Sequence, residues 1–180
     1  MSNLKIAVFG GGCFWCTEAV FSRLKGVIRV LPGYTGGKIK NPSYREVCSG
    51  LTGHNEVVEI QFDTDQISYS QLLEVFFSTH DPTTLNRQGN DVGSQYRSGI
   101  YYTDEEQKIE ATDFIQKELA SLWRDPVVTE VMPLEVFYPA EEYHHNYFAR
   151  NPEQGYCQII IKPKLTKLRT IYSKLLKNEH

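Results

Sequence analysis

Lys5-Ile6-Ala7-Val8-Phe9-Gly10-Gly11-Gly12-Cys13-Phe14-Trp15-Cys16-Thr17-Glu18-Ala19-Val20-Phe21 sets the fold of this chain and the place of its chemistry. Five strand-like residues run into three glycines, which let the backbone take conformations other residues resist. Cys13 follows, and Ala19, Val20 and Leu24 then recur at helical spacing. A strand-to-helix turn offers free N–H groups and the positive end of a helix dipole, both of which favour an anion. Cys13 is therefore expected to ionise near neutral pH, and the thiolate is the reactive form. A plain buried cysteine next to two core aromatics is the alternative.

Working outward, the strand over 5–9 leads to a helix over about 14–24, closed by Gly26. Strand 27–31 follows, and then an irregular stretch over 32–55 that is rich in Gly, Ser and Pro. Residues 56–62 alternate, with Glu56, Val58, Ile60 and Phe62 on one side, which predicts a strand. Ser68 is the expected N-cap of a helix bearing Leu72, Leu73, Val75, Phe76 and Phe77. A second irregular stretch, 80–96, precedes strand 98–102. The order βαββαβ predicts a ferredoxin-like plait, with two helices on one face of an antiparallel sheet.

Beyond it, Thr103-Asp104-Glu105-Glu106 has the form of a capping box opening a helix to about 123. Strands are expected at 127–132, 135–138 and 158–161. A short helix is expected over 139–150 and an amphipathic helix over 165–177. The whole is read as one α/β (α+β) catalytic domain over 1–180, with the plait core over about 5–103 and additions over about 104–180. Long irregular segments within a compact domain are usually functional or disordered. Their aromatic content favours two active-site loops.

A length of 180 residues suffices for a core without metal or disulfide staples. The net charge of -3 gives no electrostatic case for nucleic acid or an anionic membrane. No apolar run approaches the roughly 20 residues that span a bilayer. The N-terminus runs directly into the first strand, so no signal peptide is visible and a cytoplasmic protein is expected. In that compartment the four cysteines point to catalysis, redox cycling or metal binding more than to a static disulfide framework. A monomer is expected.

Glu56 begins an apolar row. It either reaches water at the strand end or is buried, and burial would keep it protonated near pH 7 as a general acid. Tyr44 lies in Asn41-Pro42-Ser43-Tyr44-Arg45-Glu46-Val47-Cys48. Asp91 and Tyr96 lie in Asn86-Arg87-Gln88-Gly89-Asn90-Asp91-Val92-Gly93-Ser94-Gln95-Tyr96-Arg97. With Gly12-Cys13-Phe14-Trp15, Thr52-Gly53-His54-Asn55-Glu56-Val57-Val58 and His80-Asp81-Pro82-Thr83, these stretches make the chain resemble the A-type peptide methionine sulfoxide reductases from about residue 6 to 157.

The resemblance implies Cys13 as nucleophile, with Phe14 and Trp15 as walls for the substrate methyl. It implies Glu56, Tyr44 and Tyr96 around the sulfoxide oxygen, and Asp91 lining or orienting the same site. It also implies action on the S epimer, free or in proteins, with no bound cofactor and thioredoxin as electron donor. The chemistry agrees. A thiolate displaces oxygen from a sulfoxide only when that oxygen is protonated, and the sulfenic acid left on Cys13 condenses with a second thiol. An external dithiol then opens the disulfide.

The second thiol is Cys16 or Cys157. A glycine usually follows the Phe-Trp pair in the family, whereas Cys16 here forms a Cys-x-x-Cys pair. Cys157 resembles the family's recycling cysteine near the C-terminus, and a relay using both is a third option. Cys48 reads as a structural thiol beside the site. A general dithiol–disulfide oxidoreductase would explain Cys13 and Cys16 but not Glu56 or the tyrosines. A zinc module lacks a four-ligand pattern. His54, His80, His144 and His145 read as scaffold or surface.

Overall fold

Phe9 fixes the first layer. Its ring stacks on Phe76 at 4.7 Å and meets Phe21 at 5.7 Å, so the two helices that carry those residues share one face of the sheet. The computed structural model describes residues 3–177; Met1, Ser2 and residues 178–180, the ends of the expected domain, lie outside them. In chain order the elements begin β1 (Leu4–Gly10), α1 (Phe14–Phe21), β2 (Val27–Thr35), α2 (Tyr44–Cys48), β3 (Asn55–Asp63) and α3 (Tyr69–Ser78). The two-residue strands β4 (Arg87–Gln88) and β5 (Asp91–Val92) pair as a hairpin and lead to β6 (Gly99–Tyr102). Then come α4 (Glu105–Phe114), α5 (Ala120–Leu122), β7 (Glu130–Pro133), β8 (Tyr138–Pro139), α6 (Tyr147–Arg150) and α7 (Lys162–Tyr172).

The main sheet has the order β7-β6-β1-β3-β2-β8. Its inner four strands, β6-β1-β3-β2, are antiparallel at every junction, which is the plait that the element order predicts. The additions extend the same sheet, β7 parallel to β6 and β8 antiparallel to β2. The opposite face carries a smaller cluster of Val8, Val57 and Tyr101 under Leu134 and Phe137.

Several boundaries differ from the sequence reading, each for a local reason. β2 does not stop at 31 but continues through Pro32 and Gly33, because the neighbour on its outer side is only β8 and proline is tolerated there. Inside the expected irregular stretch 32–55 lies α2, held by a reciprocal capping box between Ser43 and Glu46. The cap of α4 sits one residue later than expected. Asp104 accepts the Gln107 N–H, and the Gln107 side chain accepts the Thr103 N–H. Strand 135–138 shrinks to β8, and the helix over 139–150 becomes a 3-10 turn, Glu142–His144, followed by α6.

The clearest correction is the expected strand over 158–161. Cys157–Ile161 is a helical turn that runs into α7. Cys157, Ile161, Leu165 and Leu168 are buried at helical spacing, and the segment packs against α1. Packing of that stripe outweighs the β-preference of three consecutive isoleucines. As a result α1 is covered on nearly every side: all its residues except Trp15 are buried.

Gly12 makes the turn between β1 and α1 possible. Its φ is +100°, and a Cβ there would stand 2.8 Å from the Gln88 side chain, so the β4–β5 hairpin sits hard against the turn.

Candidate active site

Cys13 is the N-cap of α1, and its carbonyl accepts the N–H of Cys16 at 3.1 Å. The Phe14 N–H, free at the helix start, donates to Glu56 Oε1 at 3.2 Å. That bond carries a side chain from the middle of the sheet to the residue next to the thiol. Glu56 is 1% exposed, and its Oε2 has no partner among the described residues. Burial pushes its carboxyl up to about 8 against the Phe14 hydrogen bond, and the Asp91 charge adds to the rise. Of the two possibilities for Glu56, the buried one holds.

Cys13 departs from expectation. Burial raises its pKa well above the ordinary thiol value; the charges of Glu56 and Cys16 push the same way, and the Trp15 N–H pulls back too little. The helix terminus is present, but its field does not offset removal of the sulfur from water. At neutral pH Cys13 is therefore a thiol.

Around this pair the aromatic residues form two tiers. Phe14, wholly buried, contacts Tyr34 at 5.7 Å, Tyr44 at 6.2 Å and His144 at 5.0 Å. Trp15 reaches outward, stacked on Tyr147 at 3.7 Å with the rings 5° apart, and donates its indole N–H to His144 Nδ1 at 2.9 Å. Burial, and then the Glu56 charge, raise the phenols of both Tyr44 and Tyr96, so both stay protonated and able to donate. Tyr44 stands at the start of α2 and its hydroxyl meets Cys48, which is exposed. Tyr96 ends the 3-10 turn Ser94–Tyr96. Asp91, in the hairpin, accepts the Tyr156 hydroxyl at 2.7 Å.

The structure thus brings Cys13, Glu56, Phe14, Trp15, Tyr44, Tyr96 and Asp91 to one region. Cys16 joins them through α1, with Cys157 buried close enough to perturb it. A cavity of about 620 Å³ opens beside Cys13, Cys16, Asp91 and Tyr156. Glu56 does not line it.

Sequence reasoning missed a supporting set. Glu141 accepts the Tyr34 hydroxyl and the Tyr44 N–H, each at 2.9 Å, and so ties β2 to α2. Glu18 accepts the Asn146 N–H at 3.0 Å, which anchors the segment bearing His144 and Tyr147. Burial raises Glu18 to about 7. A glutamate within the otherwise buried face of α1 was the available signal. Burial lowers His144 to about 4, so the ring is neutral, with Nδ1 as acceptor for Trp15. His80 is held between Phe76 O and Ser98 Oγ, and His54 between the Gly37 N–H and Ile39 O. Among the described residues no group of three or more His, Cys, Asp or Glu is placed to hold a metal ion.

The family model described as peptide methionine sulfoxide reductase matches residues 5–176. Peptide methionine sulfoxide reductase MsrA of Acinetobacter baumannii is 58% identical over 174 residues, covering 96% of this chain and 98% of that protein. The crystal structure of reduced Mxr1 from Saccharomyces cerevisiae superposes with a TM-score of 0.80 at 32% identity, covering 86% of this chain and 90% of that one. A further structure of Mxr1, in complex with Trx2, shares the fold, with a TM-score of 0.56 at 21% identity over 81% of this chain and 85% of that one.

Proposed function

This chain belongs to the peptide methionine sulfoxide reductase family, and from that membership we propose how its residues divide the reaction. The enzyme is an oxidoreductase that reduces methionine sulfoxide; the S epimer, free or in proteins, is the substrate, and residues 1–180 act as one catalytic domain. The observation that carries the reading is the hydrogen bond from the Phe14 N–H to Glu56, which sets a buried, protonated carboxyl beside the Cys13 thiol.

Phe14 and Trp15 form the apolar wall that takes the substrate methyl, Phe14 from behind and Trp15 at the rim. Tyr44 and Tyr96 donate to the sulfoxide oxygen, and Asp91 orients the substrate. Glu56 protonates the oxygen, which makes the substrate sulfur electrophilic. Cys13 Sγ bonds to that sulfur, and its thiol proton passes to the Glu56 carboxylate. Glu56 then delivers this second proton, and the oxygen leaves as water. Attack of that water on Cys13 Sγ breaks the S–S bond, frees methionine, leaves a sulfenic acid on Cys13 and returns a proton to Glu56. A carboxyl held at about 8 both gives and takes protons in this sequence.

Cys16 is the thiol that condenses with the sulfenic acid. Cys16 follows Cys13 within the first turn of α1, its N–H bonded to the Cys13 carbonyl at 3.1 Å, while the turn that bears Cys157 packs against that helix from outside. Cys157 can then take over the disulfide by exchange. Thioredoxin supplies the electrons, a reading supported by the crystallised complex of Mxr1 with Trx2. A thioredoxin-reducing cytoplasm fits these four free thiols, and the chain is expected to act as a monomer.

The test is methionine yield from the separate sulfoxide epimers with thioredoxin as reductant. The S epimer is expected to turn over and the R epimer not. Brisk reduction of insulin disulfides without sulfoxide turnover would overturn the assignment.

A further inference from the structure

Cys16 has surroundings that the first half-reaction does not use. Its Sγ lies 3.5 Å from the Tyr156 hydroxyl, which lies 2.7 Å from Asp91 Oδ2. A phenol has one proton, and Asp91 takes it, so the contact with sulfur is an S–H donated to the Tyr156 oxygen. An unbroken path therefore runs from the Cys16 thiol through Tyr156 to the Asp91 carboxylate. On another side stands Lys164 of α7. It shares with Cys16 both the 620 Å³ cavity and a tight second cavity floored by Phe76 and His80. Burial raises the Cys16 thiol, and the Lys164 charge opposes that rise.

We propose that the C-terminal segment activates Cys16: Tyr156 passes the thiol proton to Asp91, while the Lys164 ammonium stabilises the sulfur as it becomes a nucleophile. Cys16 Sγ attacks Cys13 Sγ of the sulfenic acid. The S–S bond forms and the S–O bond breaks. Asp91, beside Cys13, hands the proton to the departing hydroxide, which leaves as water. The Cys16 sulfur is oxidised and the Cys13 sulfur reduced by the same electron pair, so no further oxidant is needed. Asp91 thereby serves both half-reactions. Lys164 is a positioning residue for the second one. The inference rests on the reading of Cys16 as the thiol that condenses with Cys13.

The test is made in the full chain carrying Cys157→Ser, with the S epimer of methionine sulfoxide and no thioredoxin. Acid quench, alkylation and mass spectrometry follow closure of the Cys13–Cys16 disulfide, and released methionine is counted separately. Lys164→Met is expected to slow closure about tenfold and to move its pH midpoint upward, with the methionine burst kept. Lys164→Arg is expected to restore both rate and midpoint. Tyr156→Phe is expected to slow closure by a similar factor. Closure at the parent rate with the parent midpoint in both Lys164→Met and Tyr156→Phe would overturn the inference while leaving Cys16 in its role. A Cys16→Ser chain that retains Cys157 and closes Cys13–Cys157 at the wild-type rate would overturn the Cys16 assignment itself.

Discussion

Nucleophile and acid are both protonated at pH 7, each because burial disfavours its charged form. The methionine burst should therefore weaken as pH rises through about 8, where Glu56 loses its proton. Glu56→Gln should slow the burst by about 10² or more and lack that alkaline limb, which stopped-flow or quench kinetics across pH would show. The same shift has a stability consequence. The Glu56 carboxyl goes from an ordinary 4.5 to about 8 on folding, so its contribution is complete below pH 4.5 and is lost as pH rises to about 8. Urea unfolding should find Glu56→Gln more stable than the parent at pH 9, with the gap closing toward pH 5. Cys13→Ser should fold normally and release no methionine. The period-two pattern of the sequence places Glu56 in an apolar row. The protonation of Cys13 was not legible, because its burial depends on segments far along the chain, whereas the helix terminus is local.

Two capping boxes of the same form serve different ends. Ser68 and Gln71 start α3, an element of the core, and Ser43 and Glu46 start α2, which positions Tyr44. Ser68→Ala should lower stability by about 1 kcal/mol and leave turnover intact. Ser43→Ala should lower turnover more than it lowers the unfolding midpoint, since α2 is five residues long and its fraying releases Tyr44. Gly12→Ala should cost about 1–3 kcal/mol and depress activity, because φ of +100° is strained for alanine and the new methyl meets Gln88. Serine caps are readable when a clear apolar helix follows, as after Ser68. After Ser43 only Val47 of α2 is buried, so no apolar stripe marks a helix there in the sequence. The isoleucine run at 159–161 is the opposite case: its local preference is for a strand, but the stripe that decides its structure is shared with Leu165 and Leu168.

For the molecule as a whole, α1 is enclosed from both directions, by the plait and by the segment from Glu141 onward. Unfolding should be a single transition, coincident by far-UV circular dichroism and tryptophan fluorescence, and a fragment ending at residue 103 should not fold cooperatively alone. The plait was legible because its alternation and turn signals are local. The second half of the site was not, because the Trp15–His144 hydrogen bond joins residues 129 positions apart and no periodicity announces such a pairing. The buried, proton-bearing Cys13 also bears on survival under oxidising conditions. Hydrogen peroxide reacts with thiolates far faster than with thiols, so a sulfur that burial keeps protonated is a slow target for the oxidant whose damage the enzyme repairs.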